Sequence, residues 1–150
     1  MFNRILVAVD GSPTSNKALV AALQLAREGG GSVRLLHAFD DLVYLTGYEY
    51  SAELIQQCRG YGEKVLQDAL AIARAAGIPA DTKLVDAPER RLGDVVAEEA
   101  RQFEADLIVV GTHGRRGIGR VLLGSGAEQV IRLAPVPVLA IRGEEPHKPR

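Results

Sequence analysis

The stretch Gly111-Thr112-His113-Gly114-Arg115-Arg116-Gly117-Ile118-Gly119-Arg120-Val121-Leu122-Leu123-Gly124-Ser125-Gly126 has the residue types of an anion cradle. Glycine lets the backbone approach a ligand closely, because no Cβ stands in the way. Successive N–H groups in a turn form a nest for negative charge. The stretch follows an apolar run, Leu107–Val110, and leads into a helical pattern near Ser125. Helix N-termini offer free N–H groups and the positive end of a dipole. Ser125 adds a hydroxyl to its own N–H, and Arg115 places a positive charge beside Gly114. Phosphate is the ligand such a set matches. The competing reading is a loop whose glycines only make turns, and Gly117 and Gly119 fit it. That reading is weaker for the whole set, because strand, loop and helix N-terminus occur in the order a phosphate site needs. Two common phosphate motifs are absent. Gly124-Ser125 has no lysine before the serine, as a P-loop requires, and Asp10-Gly11-Ser12-Pro13 lacks the GxGxxG of a dinucleotide fold.

Other residues that could do chemistry are sparser. Asp10 closes the apolar run Ile5–Val9 and precedes Gly11-Ser12, so a capping role and a ligand role are equal readings. As one carboxylate it is a weak candidate for Mg²⁺. His113 reads as a solvent or phosphate contact rather than a catalyst. His37 lies inside a strand pattern and reads as packed. Cys58, on a helical pattern with no histidine near it in sequence, reads as a structural thiol. Arg90 and Arg91 read as a solvated turn. No second carboxylate, catalytic lysine or Ser/His/Asp set accompanies the glycine loop in sequence.

The elements that must position these residues are legible as patterns. Five short apolar runs, Ile5–Val9, Val33–Phe39, Thr82–Val85, Leu107–Val110 and Val138–Ile141, read as strands. Near-continuous Val/Ile/Leu/Ala suits strands buried on both faces of a parallel sheet. The third run is more polar and belongs at an edge. A helix follows Pro13, with Ser12 as N-cap, an apolar stripe of Leu19, Ala22, Leu23 and Ala26, and Gly29-Gly30-Gly31 as its stop. A longer helix is predicted from about Ser51 to Ala76, with a kink or early break at Gly60 and Gly62. Two more fit Leu92–Phe103 and Gly126–Leu133. Strands alternating with helices imply an α/β fold with right-handed crossovers. The segment 40–50 carries Tyr44, Tyr48 and Tyr50, which either cover a ligand or pack on the surface.

Bulk properties bound the remaining choices. One domain suits 150 residues, and 47% hydrophobic with 25% charged residues is ordinary for a soluble globular chain. A net charge of −1 argues against a general nucleic-acid grip. A single cysteine excludes an internal disulfide. The opening apolar run is too short for a signal peptide, and no run approaches the ~20 apolar residues of a membrane span. The cytoplasm is the expected compartment. The tail Gly143–Arg150, charged and carrying two prolines, is expected to be disordered.

Gly111, Gly114, Gly124 and Ser125 match the spacing Gly-x2-Gly-x9-Gly-Ser/Thr. The start Ile5-Leu6-Val7-Ala8-Val9-Asp10-Gly11-Ser12 and the ending Ala134-Pro135-Val136-Pro137-Val138-Leu139 accompany it. Taken together they resemble the ATP-binding branch of the universal stress protein family, along the whole chain. The resemblance implies one domain over residues 1–142, a single open five-stranded parallel sheet in the order 3-2-1-4-5 with helices on both faces, and a homodimer. It implies ATP at the carboxyl ends of strands 1 and 4, where open α/β sheets hold ligands. By the same resemblance Val9 and Asp10 line the adenosine, and Ala38 meets the adenine edge through its backbone. Gly111 and Gly114 approach ribose and phosphates. Gly124, Ser125 and the N–H groups of Gly126 and Ala127 cradle the outer phosphates. The chain departs from the family where a valine and a hydroxyl residue commonly follow the serine. Gly126 and Ala127 stand there, so one hydroxyl is missing, and Arg115 offers a compensating charge.

Two functions from different classes follow. The first is a regulatory protein that holds ATP and presents a changed surface to a protein partner. The second is an enzyme that slowly hydrolyses ATP or transfers an adenylyl group. A dimeric scaffold without nucleotide is the blandest alternative, and the intact glycine set argues against it. The edge strand Val138–Ile141, apolar in its middle, is the expected dimer contact.

Overall fold

The structure is a computed structural model that describes residues 2–38, 52–86, 90–112 and 124–143. Chain order is β1 (Arg4–Ala8), α1 (Pro13–Gly29), β2 (Ser32–Ala38), α2 (Ala52–Ala75), β3 (Ala80–Val85), α3 (Leu92–Phe103), β4 (Leu107–Gly111), α4 (Ser125–Leu133) and β5 (Val138–Ile141). The five strands form one parallel sheet in the order β3-β2-β1-β4-β5. Strand burial follows that order. Ile5, Leu6 and Val7 of central β1 are fully buried, whereas edge strand β3 alternates between half-buried and exposed side chains.

Side-chain alternation along the strands divides the core into two layers. Ile5, Val7, Val33, Leu35, Leu107 and Val109 face α1 and α2. Leu6, Leu36, Ile108 and Val110 face α3 and α4. The winding reverses at β1, because the chain first moves outward through β2 and β3 and then returns to β4 on the other side.

Local chemistry sets the helix ends as expected. Pro13 opens α1, and the Ser12 hydroxyl accepts from the Ser15 N–H at 3.1 Å. At its other end Gly30 turns left-handed at φ 67°, and the Gly31 N–H donates to the Ala26 carbonyl at 2.8 Å. The early break expected at Gly60 or Gly62 is corrected: α2 is one helix through both positions. Close approach explains Gly62. A Cβ there would lie 2.7 Å from His37 Cδ2 and 2.8 Å from Leu84 Cδ1. The glycine lets the helix lie down on β2 and β3, and that packing outweighs its poor propensity.

Arg90 departs from a freely solvated turn. Its guanidinium pairs with the Glu98 carboxylate and reaches the Asp94 carbonyl. A second ionic group forms on the α3 side of the sheet. Arg34 donates to both carboxylate oxygens of Asp81, at 2.9 Å each, and to Glu99 Oε1 at 3.2 Å. Arg4 and Arg34 both lie over the Phe103 ring, at 4.1 and 4.5 Å from its centre. The Asp81 hydrogen bond is the main cause that holds the Arg34 guanidinium above its usual pKa.

Candidate functional site

The β1–β4 ladder ends at Val7–Val109, while β1 runs on to Ala8 and β4 to Gly111. The two strands therefore part at their carboxyl ends, at the point where the winding reverses. That parting is where open α/β sheets hold ligands. Its two walls are built differently.

One wall is the turn from β1 into α1. The Val9 N–H continues the sheet by donating to the Leu36 carbonyl at 2.8 Å. Asp10 Oδ1 accepts from the Ser12 N–H at 2.9 Å, and the Asp10 N–H donates to Ser15 Oγ at 3.0 Å. One Asp10 carboxylate oxygen thus closes the turn that leads into the Ser12 cap of α1. Gly11 adopts φ 83°, a conformation that favours glycine. A Cβ on Gly11 would lie 2.9 Å from Tyr61 Oη.

The other wall is the turn from β4 into α4. Gly111 lies against α1, and a Cβ there would lie 2.7 Å from Thr14 Cγ2. Thr112 then ties three elements together. Its N–H donates to the Ile141 carbonyl at 2.8 Å, and its carbonyl accepts from the Gly124 N–H at 2.8 Å. Residues 113–123 lie outside the described residues, but the latter bond joins the positions on either side of them. α4 begins at Ser125 with Gly124 as cap residue, and no side chain among the described residues caps its first N–H groups. α1 differs, because Ser12 caps it. A helix start without a side-chain cap leaves donors for a ligand or water.

Thr112 carries a further feature. It is buried, and its Oγ1 has no hydrogen-bond partner among the described residues. Its carbonyl, bonded to the Gly124 N–H, places the residue next to the start of α4. A buried hydroxyl without a partner costs about 1–3 kcal/mol, so such a group calls for an explanation.

The structure brings Val9, Asp10, Gly111, Gly124, Ser125, Gly126 and Ala127 to the carboxyl ends of β1 and β4. Ala38 sits at the same end of neighbouring β2, half-buried. Gly114, Arg115 and His113 lie outside the described residues, as do Tyr44, Tyr48 and Tyr50. The Ala127 side chain packs into the α3/α4 core, so only its backbone is available. Gly126 has a packing reason beside any ligand role, since a Cβ there would lie 2.9 Å from Leu92 Cδ2. Thr112, Thr14, Ser15 and Tyr61 were not singled out by sequence. The polar run Gly11-Ser12-Pro13-Thr14-Ser15 after a buried strand was a usable signal for Thr14 and Ser15. A tyrosine in mid-helix carries none.

The chain is similar to known proteins along nearly its whole length. A family model described as Universal stress protein family matches residues 1–142. A universal stress protein of Bacillus subtilis is 34% identical, over 95% of this chain and all of its own length. A crystal structure of a universal stress protein family member from Burkholderia pseudomallei is 34% identical. It superposes with a TM-score of 0.73 over 93% of this chain and 95% of its own. A universal stress protein from Archaeoglobus fulgidus, solved in complex with dAMP, is 25% identical with a TM-score of 0.70, over 93% and 97% of the two chains.

Proposed function

We propose that this chain, which belongs to the universal stress protein family, binds an adenine nucleotide, in the first place ATP, at the parting of β1 and β4, and holds it as a regulatory ligand. The observation that carries this reading is the junction of Thr112 with Gly124. It sets Thr112, whose hydroxyl has no partner among the described residues, beside a helix start that no side chain of those residues caps. Both features suit an anion with several acceptor oxygens. The dAMP complex of the Archaeoglobus relative supports an adenine nucleotide as the class.

Residue roles follow from place and from the family pattern. Val9 and Asp10 line the nucleoside, with the Ala38 backbone at the base edge. Gly111 gives close approach beside Thr14, and Gly114 does so further along the loop. Ser125 and the N–H groups of Gly126 and Ala127 face the outer phosphates. Arg115 supplies charge in place of the family's additional hydroxyl. Among the described residues no group of three acidic, histidine or cysteine side chains converges on a metal position. A Mg²⁺ ion would therefore be held chiefly by phosphate oxygens and water, with the Asp10 carboxylate as its nearest protein candidate.

We favour retention over rapid turnover. Hydrolysis needs a positioned water and a base. The carboxylate that β1 delivers, Asp10, is already engaged by the Ser12 N–H through one oxygen. Thermal melts and calorimetry with Mg-ATP test the proposal. A ligand at 100 times its Kd adds about 2.7 kcal/mol, which is visible as a higher Tm. Gly114→Val should remove that gain while the far-UV spectrum stays native. No shift together with no heat of binding would end the nucleotide reading. Phosphate release at ordinary ATPase rates, lost in Gly114→Val, would replace retention by catalysis.

A further inference from the structure

Two side chains outside the glycine loop act on the backbone of the β1 turn. His37, buried on β2, brings Nδ1 within 2.8 Å of the Val9 carbonyl. A carbonyl oxygen only accepts, so Nδ1 carries the proton. Tyr61, on α2, donates its hydroxyl to the Asp10 carbonyl at 2.9 Å. The two rings meet edge to face with centres 6.1 Å apart. Glycines make room on both sides: Gly11 under the Tyr61 hydroxyl and Gly62 against the His37 ring. Consecutive carbonyls of the turn are thus gripped from β2 and from α2, while the N–H groups of Val9, Asp10 and Ser12 are bonded within the sheet and the turn.

We propose that His37 and Tyr61 are positioning residues of the nucleoside half of the site. They hold the Val9–Gly11 backbone at the depth and tilt that an adenosine group needs, without touching it. The inference rests on the nucleotide reading above. Fixing a binding backbone in advance removes an ordering cost that would otherwise weaken the complex. The grip acts on the β1 wall. The β4 side of the phosphate wall, at Gly111 and Thr112, is held by other contacts, those to Thr14 and Ile141.

That separation makes the idea testable with ATP and inorganic tripolyphosphate as two probes in calorimetry. Tyr61→Phe removes one hydroxyl and leaves the ring. His37→Leu removes the donor, and His37→Asn restores a donor near the Nδ1 position. Tyr61→Phe and His37→Leu should each weaken ATP about two- to tenfold, the range of one lost hydrogen bond. Tripolyphosphate should change by less than about twofold, and His37→Asn should recover most of the ATP affinity. Unchanged ATP affinity in Tyr61→Phe and His37→Leu overturns the proposal, as does an equal loss of both probes. Amide hydrogen exchange of Val9, Asp10 and Ser12 in the nucleotide-free protein gives a readout independent of binding. It should quicken about two- to tenfold in Tyr61→Phe, and unchanged exchange also overturns the grip. If the parent binds no ATP yet exchange quickens, the nucleotide reading fails and the grip on the β1 turn stands.

Discussion

Gly93 and Gln129 bring α3 and α4 to backbone contact. The Gly93 N–H donates to Gln129 Oε1 at 3.1 Å. A Cβ on Gly93 would lie 2.5 Å from Gln129 Cβ and 2.9 Å from the Gln129 carbonyl carbon. Because the obstacle includes backbone, no rotamer change relieves it. α4 is the helix whose N-terminus belongs to the proposed phosphate wall, so its seat on α3 sets the position of that wall.

Gly93→Ala should therefore act at a distance. Overpacking of this kind costs about 1–3 kcal/mol. For a chain of this size each kcal/mol lowers Tm by roughly 2–4 °C. The displaced α4 should also bind tripolyphosphate more weakly than the parent does. Calorimetry on the folded variant below its Tm checks this. Unchanged Tm and affinity would mean that α4 yields without cost.

Thr112→Val separates stability from binding by their signs. Valine has the shape of threonine, and the hydroxyl it replaces is buried without a partner among the described residues. The nucleotide-free variant should be as stable as the parent or more stable by about 1 kcal/mol, since the change removes an unmet polar group. The rise of Tm on adding ATP should shrink. Paired melts with and without nucleotide read both effects. Lower stability without nucleotide would show that the hydroxyl is satisfied in solution by something other than the ligand.

The Arg34 group offers a prediction far from the site. The Glu99 side chain is 6% exposed and meets Arg34 Nη1 at 3.2 Å. The Asp81 side chain is 55% exposed, so its share in stability is small. Arg34→Leu leaves the Glu99 carboxylate buried without its partner and should cost about 2–4 kcal/mol. Asp81→Asn should cost less than about 1 kcal/mol. The double variant Arg34→Leu/Glu99→Leu should regain part of the loss. Urea unfolding of all four proteins tests the ranking, and equal effects at Asp81 and Arg34 would contradict it.

β5 ends the sheet, and Leu139 at its centre is 37% exposed. Ile131 and Leu133 of α4 are also exposed large apolar residues. An open edge with apolar side chains invites pairing with a second copy, and a two-fold axis makes such pairing antiparallel. A homodimer through Val138–Ile141 is expected at micromolar concentration in sedimentation experiments. Leu139→Asp should shift it to monomer. A parent that sediments as a monomer refutes the expectation, and a dimer that survives Leu139→Asp puts the contact elsewhere.

The sequence by itself determined the fold class, the element order and the position of the glycine loop. These rest on local rules. Val/Ile/Leu runs mark strands buried on both faces, Ser12-Pro13 and the glycines 29–31 mark helix ends, and the spacing of Gly111, Gly114, Gly124 and Ser125 survives as a string. What tertiary structure decided is which distant residues meet. Gly62 looked like a helix breaker because propensity is local, yet its neighbours are His37 and Leu84 of two strands. The bonds that join the Asp10 carboxylate to Ser12 and its N–H to Ser15 became visible only in the fold. Tyr61 reaches the Asp10 carbonyl across 51 positions of chain, and Arg34 reaches Glu99 across 65. No periodicity records such pairs, because a side chain's partner depends on the register of β1, β2 and β3 and on how closely the helices lie upon them.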